Sequence, residues 1–166
     1  MDKEEIKKSL LEYIKVILIT VVVTFSVLYF VQISRVIGSS MEPTYHNGNI
    51  ILVDKVFYKR GKPSYNDIVV VKYHVSEGED QIIKRIVGLP GDHIEMKDNQ
   101  LYRNGKLLKE DYINEPMVNN DDFSYDIPEG KVFIMGDNRN NSVDSRIIGY
   151  IDFDDEIVGR VFFKVF

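Results

Sequence analysis

The sequence contains no cysteine among its 166 residues. Disulfide bonds, cysteine-ligated zinc and a thiol nucleophile are therefore all excluded, and with them a cysteine transpeptidase of the sortase kind. The three histidines, His46, His74 and His93, do not stand at the spacing of metal-ligand motifs. We accordingly expect neither a metal nor another cofactor.

An excess of basic residues is also missing. The formal net charge is −5, and all of it lies after residue 34, because the first 34 residues carry four lysines and four acidic residues. An acidic domain without a basic stripe is a poor match for a phosphate backbone, so nucleic acid is not an expected partner. The length suits one domain with a hydrophobic core and one additional segment.

Charge is absent from residues 16–34, which read VILITVVVTFSVLYFVQIS. This is close to the roughly 20 residues with which a helix crosses a bilayer core. We predict a short amino-terminal segment (1–15), a transmembrane anchor in the lipid bilayer (16–34) and one further domain (35–166). A cleavable signal sequence and a buried core helix are the alternatives. Basic residues flank both ends of the run, so charge alone leaves its orientation open.

After residue 35 the sequence is typical of an all-β domain with coiled or barrel-like sheets. Short runs rich in Val, Ile, Phe and Tyr alternate with turn residues. Strands are predicted at 49–53, 67–73, 81–87, 93–97, 131–135, 146–151 and 157–165. Asn104-Gly105 predicts a two-residue hairpin between 100–103 and 106–109. Residues 74–80 and 110–128, rich in Asp, Glu, Asn, Gly and Pro, are predicted to be exposed loops.

A candidate nucleophile lies just after the apolar run, in Gly38-Ser39-Ser40-Met41-Glu42-Pro43-Thr44. A serine hydroxyl needs a neighbouring base to take its proton. The G-x-S-x-G elbow is absent, and no histidine stands in a special context, so a Ser-His-Asp triad is disfavoured. A lysine that burial makes neutral is the alternative base.

Lys84 meets that requirement. Strand alternation places it on the face of Ile82 and Ile86, where an apolar neighbourhood disfavours the ammonium form and lowers its pKa. Arg85 does not deprotonate and cannot replace it. The competing interpretation is a lysine that leans out into solvent at a strand edge. The turn Gly88-Leu89-Pro90-Gly91-Asp92 ends this strand and thereby sets where Lys84 points.

The densest polar segment is 136–146, which reads GDNRNNSVDSR. It stands between two predicted strands. One interpretation is an ordinary solvated loop. The other is a set of residues that brace a catalytic site, in which aspartates and arginines pair with one another and a hydroxyl holds the lysine amine.

Four motifs in order resemble the bacterial type I signal peptidases. They are Ser40-Met41-x-Pro43-Thr44, then Asn66-Asp67-Ile68-Val69-Val70, then Lys84-Arg85-Ile86-Val87-Gly88-Leu89-Pro90-Gly91-Asp92, and finally Gly136-Asp137-Asn138-Arg139-x-Asn141-Ser142-x-Asp144-Ser145-Arg146. The resemblance covers about residues 10 to 166, and the last two motifs are highly specific. The short build with a single anchor resembles the Gram-positive branch, and Lys84 stands where relatives of the endoplasmic-reticulum type have histidine.

The resemblance implies a membrane-bound serine endopeptidase that removes signal peptides from secreted preproteins after small residues, through an acyl-enzyme. It implies Ser40 as nucleophile and Lys84 as general base, with Ser142 orienting the Lys84 amine. Further bracing residues would be Asp137, Arg139, Asp144 and Arg146, and the substrate cleft would include Val36, Met41, Ile82 and Ile83. The resemblance also implies that the catalytic domain lies outside the cytoplasm and that residues 1–15 lie in the cytoplasm.

Two positions depart from the family pattern. Gly38 stands where some members have a serine whose hydroxyl helps to bind the oxyanion, so the Ser40 N–H needs another donor beside it. Asn140 replaces a common aspartate, which we interpret as a tolerated change. Two other classes also stay open: a membrane-tethered β-domain without catalysis, and a self-cleaving Ser/Lys repressor, which would need a DNA-binding domain where this chain has its apolar run.

Overall fold

The computed structural model describes residues 2–75, 78–118 and 121–166. In this described part of the chain, a long helix precedes a β-rich domain that also contains one short helix and one 3₁₀ turn, Tyr58–Arg60. In chain order the other elements are α1 (Lys3–Phe30), β1 (Val31–Arg35), β2 (Ile50–Asp54), β3 (Ile68–Val75), β4 (Gly78–Gly88), β5 (His93–Lys97), β6 (Gln100–Arg103), β7 (Lys106–Leu107), β8 (Phe123–Asp126), β9 (Lys131–Met135), α2 (Ser145–Ile148), β10 (Ile151–Asp152) and β11 (Ile157–Lys164).

Helix α1 is 28 residues long, and nearly all of its side chains are exposed. It is long and apolar enough to cross a membrane. A buried core helix is therefore excluded. The uncharged run continues to Ser34, whereas the helix ends at Phe30, because β1 leaves the helix to pair with β2. The ring of Phe30 stacks on Phe57 of the β-domain with 5.1 Å between centroids.

The prediction of an all-β domain with antiparallel sheets is confirmed. Within the described residues, one sheet has seven strands in the order β1-β2-β11-β3-β4-β9-β10, and a second has four in the order β7-β6-β5-β8. All pairings between these strands are antiparallel. Strand β4 pairs with β3 from Gly78 to Arg85, but with β9 only near its end. One edge of its first part thus has no partner among the described strands.

The core lies on both faces of the central strands. Val69 and Val71 of β3 pack in one apolar cluster, while Val70 points into another. Strand β4 divides in the same way, since Ile86 joins the first cluster and Ile83 the second. Burial on both faces explains why these strands read as continuous apolar runs rather than as an alternation.

The predicted hairpin at Asn104-Gly105 is confirmed, with β6 and β7 paired across it. Both turn residues have positive φ, 53° and 72°, as a two-residue turn of the primed type requires. The predicted strands at 93–97 and 131–135 match β5 and β9, and those at 49–53, 67–73, 81–87 and 157–165 agree with the observed strands to within three residues at each end.

The strand predicted at 146–151 is wrong. Asp144 caps a short helix there, its carboxylate accepting a hydrogen bond from the Arg146 N–H and its carbonyl from those of Ile147 and Ile148. Helix α2 therefore occupies the first half of the range, residues 146–148, and β10 begins only at Ile151.

Both predicted loops, 74–80 and 110–128, are shorter in the structure than predicted. The range 74–80 is mostly the end of β3 and the start of β4, and residues 76–77 lie outside the described residues. The range 110–128 contains β8, because Phe123 and Tyr125 alternate onto the cluster that holds the small sheet against β9. Residues 119–120 of this range lie outside the described residues.

Gly159 permits the close approach of β11 to β2. A Cβ atom at this position would lie 2.1 Å from the backbone oxygen of Asp54. We expect Gly159→Ala to lower the free energy of unfolding by about 3 kcal/mol, because backbone must move to relieve the overlap. The measurement is denaturant unfolding of the full chain in detergent micelles.

Gly61→Ala is the matched control. Its Cβ would meet nothing closer than the Tyr58 carbonyl at 3.4 Å. We expect a change within about 0.5 kcal/mol. Equal stability of the two variants would contradict the packing described for Gly159.

Candidate active site

A cleft of about 550 Å³ opens between β1 and β4. Residues 34–37 form one wall and residues 80–84 the other, with Ile51 and Val70 at the base. Among the described strands β1 pairs only with β2, and this part of β4 pairs only with β3. Two unpaired strand edges, with their free N–H and C=O groups, therefore border the cleft.

Ser40 and Lys84 meet in the cleft. The Lys84 amine donates hydrogen bonds of 2.8 Å to Ser40 Oγ and to the Ile83 carbonyl, and the side chain is only 3% exposed. A lysine leaning into solvent is therefore excluded. Burial lowers the Lys84 pKa to about 8, although the carboxylates of Asp144 and Asp137 act in the opposite direction. The arrangement supplies a hydroxyl next to an amine that is readily neutral.

The segment that carries Ser40 is held by its own chain. Gly38 has φ of +89°, and its N–H donates to Asn47 Oδ1 at 3.0 Å. Met41 is buried in the core beside Val36, which fixes the residue after Ser40. The Gly38 N–H thus has an acceptor, whereas the Ser40 N–H has none among the described residues.

The polar loop 136–142 holds the same segment from the other side. Asn138 donates from its backbone N–H to the Ser40 carbonyl (3.0 Å) and from its side chain to the Ser39 carbonyl (3.2 Å). Asn141 donates to Ser39 Oγ at 3.0 Å. Gly136 lies so close that a Cβ would stand 2.5 Å from the Ser40 carbonyl oxygen. The loop is therefore a support for the serine rather than a solvated connection.

A buried ion pair joins this loop to β4. The Arg85 guanidinium binds both carboxylate oxygens of Asp137, at 2.8 and 2.6 Å, and Thr44 Oγ1 donates to the same carboxylate at 2.5 Å. Asp137 is fully buried. Asp137 was predicted to brace the site, but its partners Arg85 and Thr44 were not. Arg85 follows Lys84 in the strand, and alternation sends its side chain to the opposite face.

Arg139 has a partner that the sequence reasoning did not anticipate. Its guanidinium forms a buried bidentate ion pair with Glu110, and it also donates to the Tyr112 hydroxyl at 3.3 Å. The Arg85 guanidinium lies 4.0 Å from the centre of the Tyr112 ring. Burial, together with Glu110, raises the Tyr112 pKa, so this hydroxyl stays protonated. No sequence signal marked Glu110 and Tyr112, because their segment has the composition of an exposed loop.

Asp144 and Arg146 pair with each other, as predicted for this segment. The guanidinium of Arg146 reaches both Asp144 oxygens at 2.8 Å, and Asp144 also accepts the Gly136 N–H at 3.0 Å. This carboxylate is therefore tied to the loop that supports Ser40.

The hydrogen bond predicted from Ser142 to the Lys84 amine is not formed. Ser142 Oγ is buried without a hydrogen-bond partner among the described residues. The Ser142 side chain instead fills the space over Gly136, where a Cβ would lie 2.3 Å from its oxygen. Ser40 and the Ile83 carbonyl take the contacts of the amine.

Asn140 holds the segment 110–118, which contains Glu110 and Tyr112. Its amide donates to Glu115 (2.9 Å) and to the Pro116 carbonyl (3.1 Å), and its oxygen accepts the Val118 N–H. An aspartate could not donate these bonds and would repel Glu115. The departure at this position therefore suits its neighbours in this chain.

The residues expected in the substrate cleft divide into two groups. Val36, Ile82 and Ile83 line the cleft. Met41 does not line it but lies in the core beneath, only 1% exposed.

A hydroxyl–imidazole–carboxylate chain lies on the small sheet, away from Ser40 and Lys84. His93 contacts Asp126 through Nδ1 at 2.7 Å and Ser124 through Nε2 at 3.1 Å. The side chains of His93 and Asp126 are 43% and 89% exposed, and no cavity found in the described part of the chain includes them. This chain of groups lacks the enclosed site that nucleophilic catalysis needs.

Comparison with known proteins assigns the chain to a family. The family model for signal peptidases, peptidase S26, matches residues 10–166. Signal peptidase IB of Staphylococcus aureus is 37% identical over 176 residues, which cover 95% of this chain and 90% of that protein. Signal peptidase I S of Bacillus subtilis is 41% identical over 152 residues, covering 84% and 80%. A crystal structure of a signal peptidase I from Enterococcus faecalis is similar with a TM-score of 0.50 and 32% identity, over 61% of this chain and 98% of that one.

An apolar amino-terminal helix, a β-domain with an open cleft and these similarities together define a membrane-associated peptidase. The chain belongs to the signal peptidase family S26, on the side of the Gram-positive-type type I enzymes, which are serine endopeptidases that cleave signal peptides.

The ion pair between Arg139 and Glu110 generates a stability prediction. Glu110→Ala leaves a buried guanidinium without its counter-ion, since the side chains are 0% and 5% exposed. We expect the free energy of unfolding to fall by about 3 kcal/mol. Glu115→Ala, which removes an exposed carboxylate of the same segment, 110–118, is the control. We expect it to lower the free energy of unfolding by less than about 1 kcal/mol. Indistinguishable unfolding curves for the two variants would refute the assignment.

Proposed function

We propose that this chain cleaves signal peptides with Ser40 as nucleophile and Lys84 as general base. The observation that carries the proposal is the 2.8 Å contact between the Ser40 hydroxyl and a buried amine whose pKa is lowered to about 8. A neutral amine can accept the hydroxyl proton along this contact. Neither a metal nor another cofactor takes part in the proposed steps.

The first step is acylation of Ser40. Neutral Lys84 takes the proton as Ser40 Oγ attacks the carbonyl carbon of the residue before the scissile bond. The Ser40 N–H, free of other acceptors in the described structure, donates to the oxyanion. The protonated amine then gives its proton to the leaving nitrogen, and an ester joins the signal peptide to Ser40.

Deacylation uses the same base. With the amino product gone, neutral Lys84 takes a proton from a water molecule that attacks the ester carbonyl. The tetrahedral intermediate collapses, the proton returns to Ser40 Oγ, and the signal peptide leaves as a carboxylate.

The cleft accepts substrate as an added strand. Free backbone groups on the edge of β4, beside Ile82 and Ile83, are suited to bind an extended peptide by main-chain hydrogen bonds. Val36 and Ile83, both nearly buried, leave little depth for side chains near Ser40. Shallow apolar walls favour small residues, which supports cleavage after sequences of the Ala-x-Ala type.

The charged residues around the site act as braces. Asp137 and Arg139 anchor the loop that supports Ser40, through Arg85 and Glu110 respectively. Asp144, paired with Arg146, holds Gly136 and also influences the Lys84 pKa. Ser142 contributes by packing over Gly136.

The proposed topology follows from the position of the substrate. Residues 1–15 lie in the cytoplasm, residues 16–34 contain the membrane anchor, and residues 35–166 form the catalytic domain outside the cytoplasm. The bilayer and the signal peptides of secreted preproteins are the partners, and nucleic acid has no place in the proposal. Anchoring confines enzyme and membrane-inserted substrate to one surface and one depth.

Replacement of either dyad residue tests the proposal. Ser40→Ala and Lys84→Met are expected to abolish cleavage of a labelled preprotein by membranes that contain the chain, with unfolding unchanged within about 1 kcal/mol. Ser39→Ala is the matched control and is expected to retain turnover, because Lys84 contacts Ser40 and not Ser39, and the two hydrogen bonds from Asn138 still hold the segment. Near-normal cleavage by Ser40→Ala would support a β-domain without catalysis.

The pH dependence tests the base. The active form is neutral Lys84, so kcat/KM on a soluble peptide is expected to fall about tenfold per unit below pH 8 and to level off above it. In Lys84→His the residual activity should titrate lower, because imidazole has a pKa of about 6.5. An acid limb at the same pH in both proteins would assign it to another group.

A further inference from the structure

The cleft is bridged at two places. Strands β1, β2, β11, β3 and β4 are successive neighbours in the sheet, yet side chains of the first and last meet. Gln32 Nε2 on β1 donates to Gln81 Oε1 on β4 at 2.9 Å, and it also donates to Ser34 Oγ at 2.8 Å. The second crossing is the contact between Lys84 and Ser40. The sheet therefore curls until only a slot separates β1 from the first part of β4.

The two bridges mark opposite ends of the slot. Four successive antiparallel pairings make β1 and β4 run in the same direction, so Gln32 and Gln81 lie upstream and Ser40 and Lys84 downstream. Gln81 precedes Lys84 by three residues, which is about 10 Å along a strand. This distance holds about three or four residues of an extended peptide.

The cleft ends within two residues of the bridged glutamines, and Gln81 is part of its lining. Its lining stops at Ser34 on one wall and at Asp80 on the other. Both strands continue further, β1 back to Val31 and β4 back to Gly78. Unpaired edges are thus available beyond the bridge, but the joined side chains separate them from the cleft.

We propose that substrate binds parallel to β1 and β4, with the residues before the scissile bond towards Gln81. The Gln32–Gln81 bridge is then the end wall of the substrate cleft and limits the strand-paired part of a substrate to about four residues before the scissile bond. The inference rests on the proposed function of Ser40 and Lys84. The glutamines determine specificity and do not take part in the chemistry.

The end wall lies where a membrane-inserted substrate would enter the cleft. Strand β1 begins at Val31, directly after α1 ends, so the wall stands at the end of the cleft nearest the apolar helix. A substrate that leaves the bilayer as a helix has to become extended within the few residues between the wall and Ser40. The bridge thereby sets how far the cut lies from the apolar segment of the substrate.

A length series of soluble peptides tests the wall. All peptides share one Ala-x-Ala cleavage site and carry three, four, six or eight residues before the cut. For the full chain in detergent micelles we expect kcat/KM to level off at four residues. In Gln32→Ala and Gln81→Ala it should continue to rise by about fivefold up to six residues, because each added strand hydrogen bond contributes.

The effects of Gln32→Ala and Gln81→Ala on the length profile should not be additive. If both remove the same bridge, the double variant has the length profile of either single variant rather than the product of two effects. Gln32→Glu combined with Gln81→Lys re-forms a link and should restore the plateau at four residues. Gln100→Ala removes an exposed strand glutamine of the small sheet and should keep the original profile.

Three results would overturn the bridge proposal. These are an unchanged plateau in both single variants, independent effects in the double variant, or a shifted plateau in Gln100→Ala. Ser40→Ala, included in the same series, separates this failure from that of the proposed function: cleavage by Ser40→Ala would contradict the catalytic assignment itself, whereas an inactive Ser40→Ala with an unmoved plateau contradicts only the wall.

Discussion

The burial of the Lys84 amine beside the Ser40 hydroxyl is the constraint on which the rest of the site depends. A lysine loses its charge near neutral pH only if desolvation outweighs nearby carboxylates. Here desolvation is the larger effect, and Asp144 and Asp137 reduce it, so that the pKa settles at about 8. The amine must also be within reach of Ser40, and three segments that are distant in sequence meet to achieve this.

Strand β4 serves that purpose by sending adjacent side chains in opposite directions. Lys84 points to Ser40, and Arg85 points to Asp137. The buried charge of Asp137 is tolerable because Arg85 and Thr44 satisfy both of its oxygens. The loop that follows Asp137 is thereby fixed, and its Asn138 holds the backbone of Ser40. One strand thus positions the proposed base directly and the proposed nucleophile through a salt bridge.

Incomplete pairing of the large sheet is the other requirement for function. An open edge usually carries a risk of aggregation. In this chain the edges of β1 and β4 face each other across a narrow cleft, where one extended peptide fits and a second protein sheet does not. The proximity of β1 to the end of α1 places this cleft next to the apolar helix. The fold therefore brings together the apolar helix, the proposed substrate cleft and the proposed dyad through one short strand.

The sequence by itself determined the elements whose signals are local. The apolar run, the Asn104-Gly105 hairpin and strands β5 and β9 follow from composition and turn chemistry. For Lys84, alternation left burial and exposure both open, and the structure decided for burial. The helix Ser145–Ile148 and strand β8 were not predicted, because the Asp144 cap and the packing of Phe123 and Tyr125 outweighed local propensity. Only the tertiary structure decided that Arg139 pairs with Glu110, that Ser142 packs over Gly136, and that Gln32 meets Gln81. Such contacts depend on how a curled sheet brings distant segments together, and no local pattern encodes that distance.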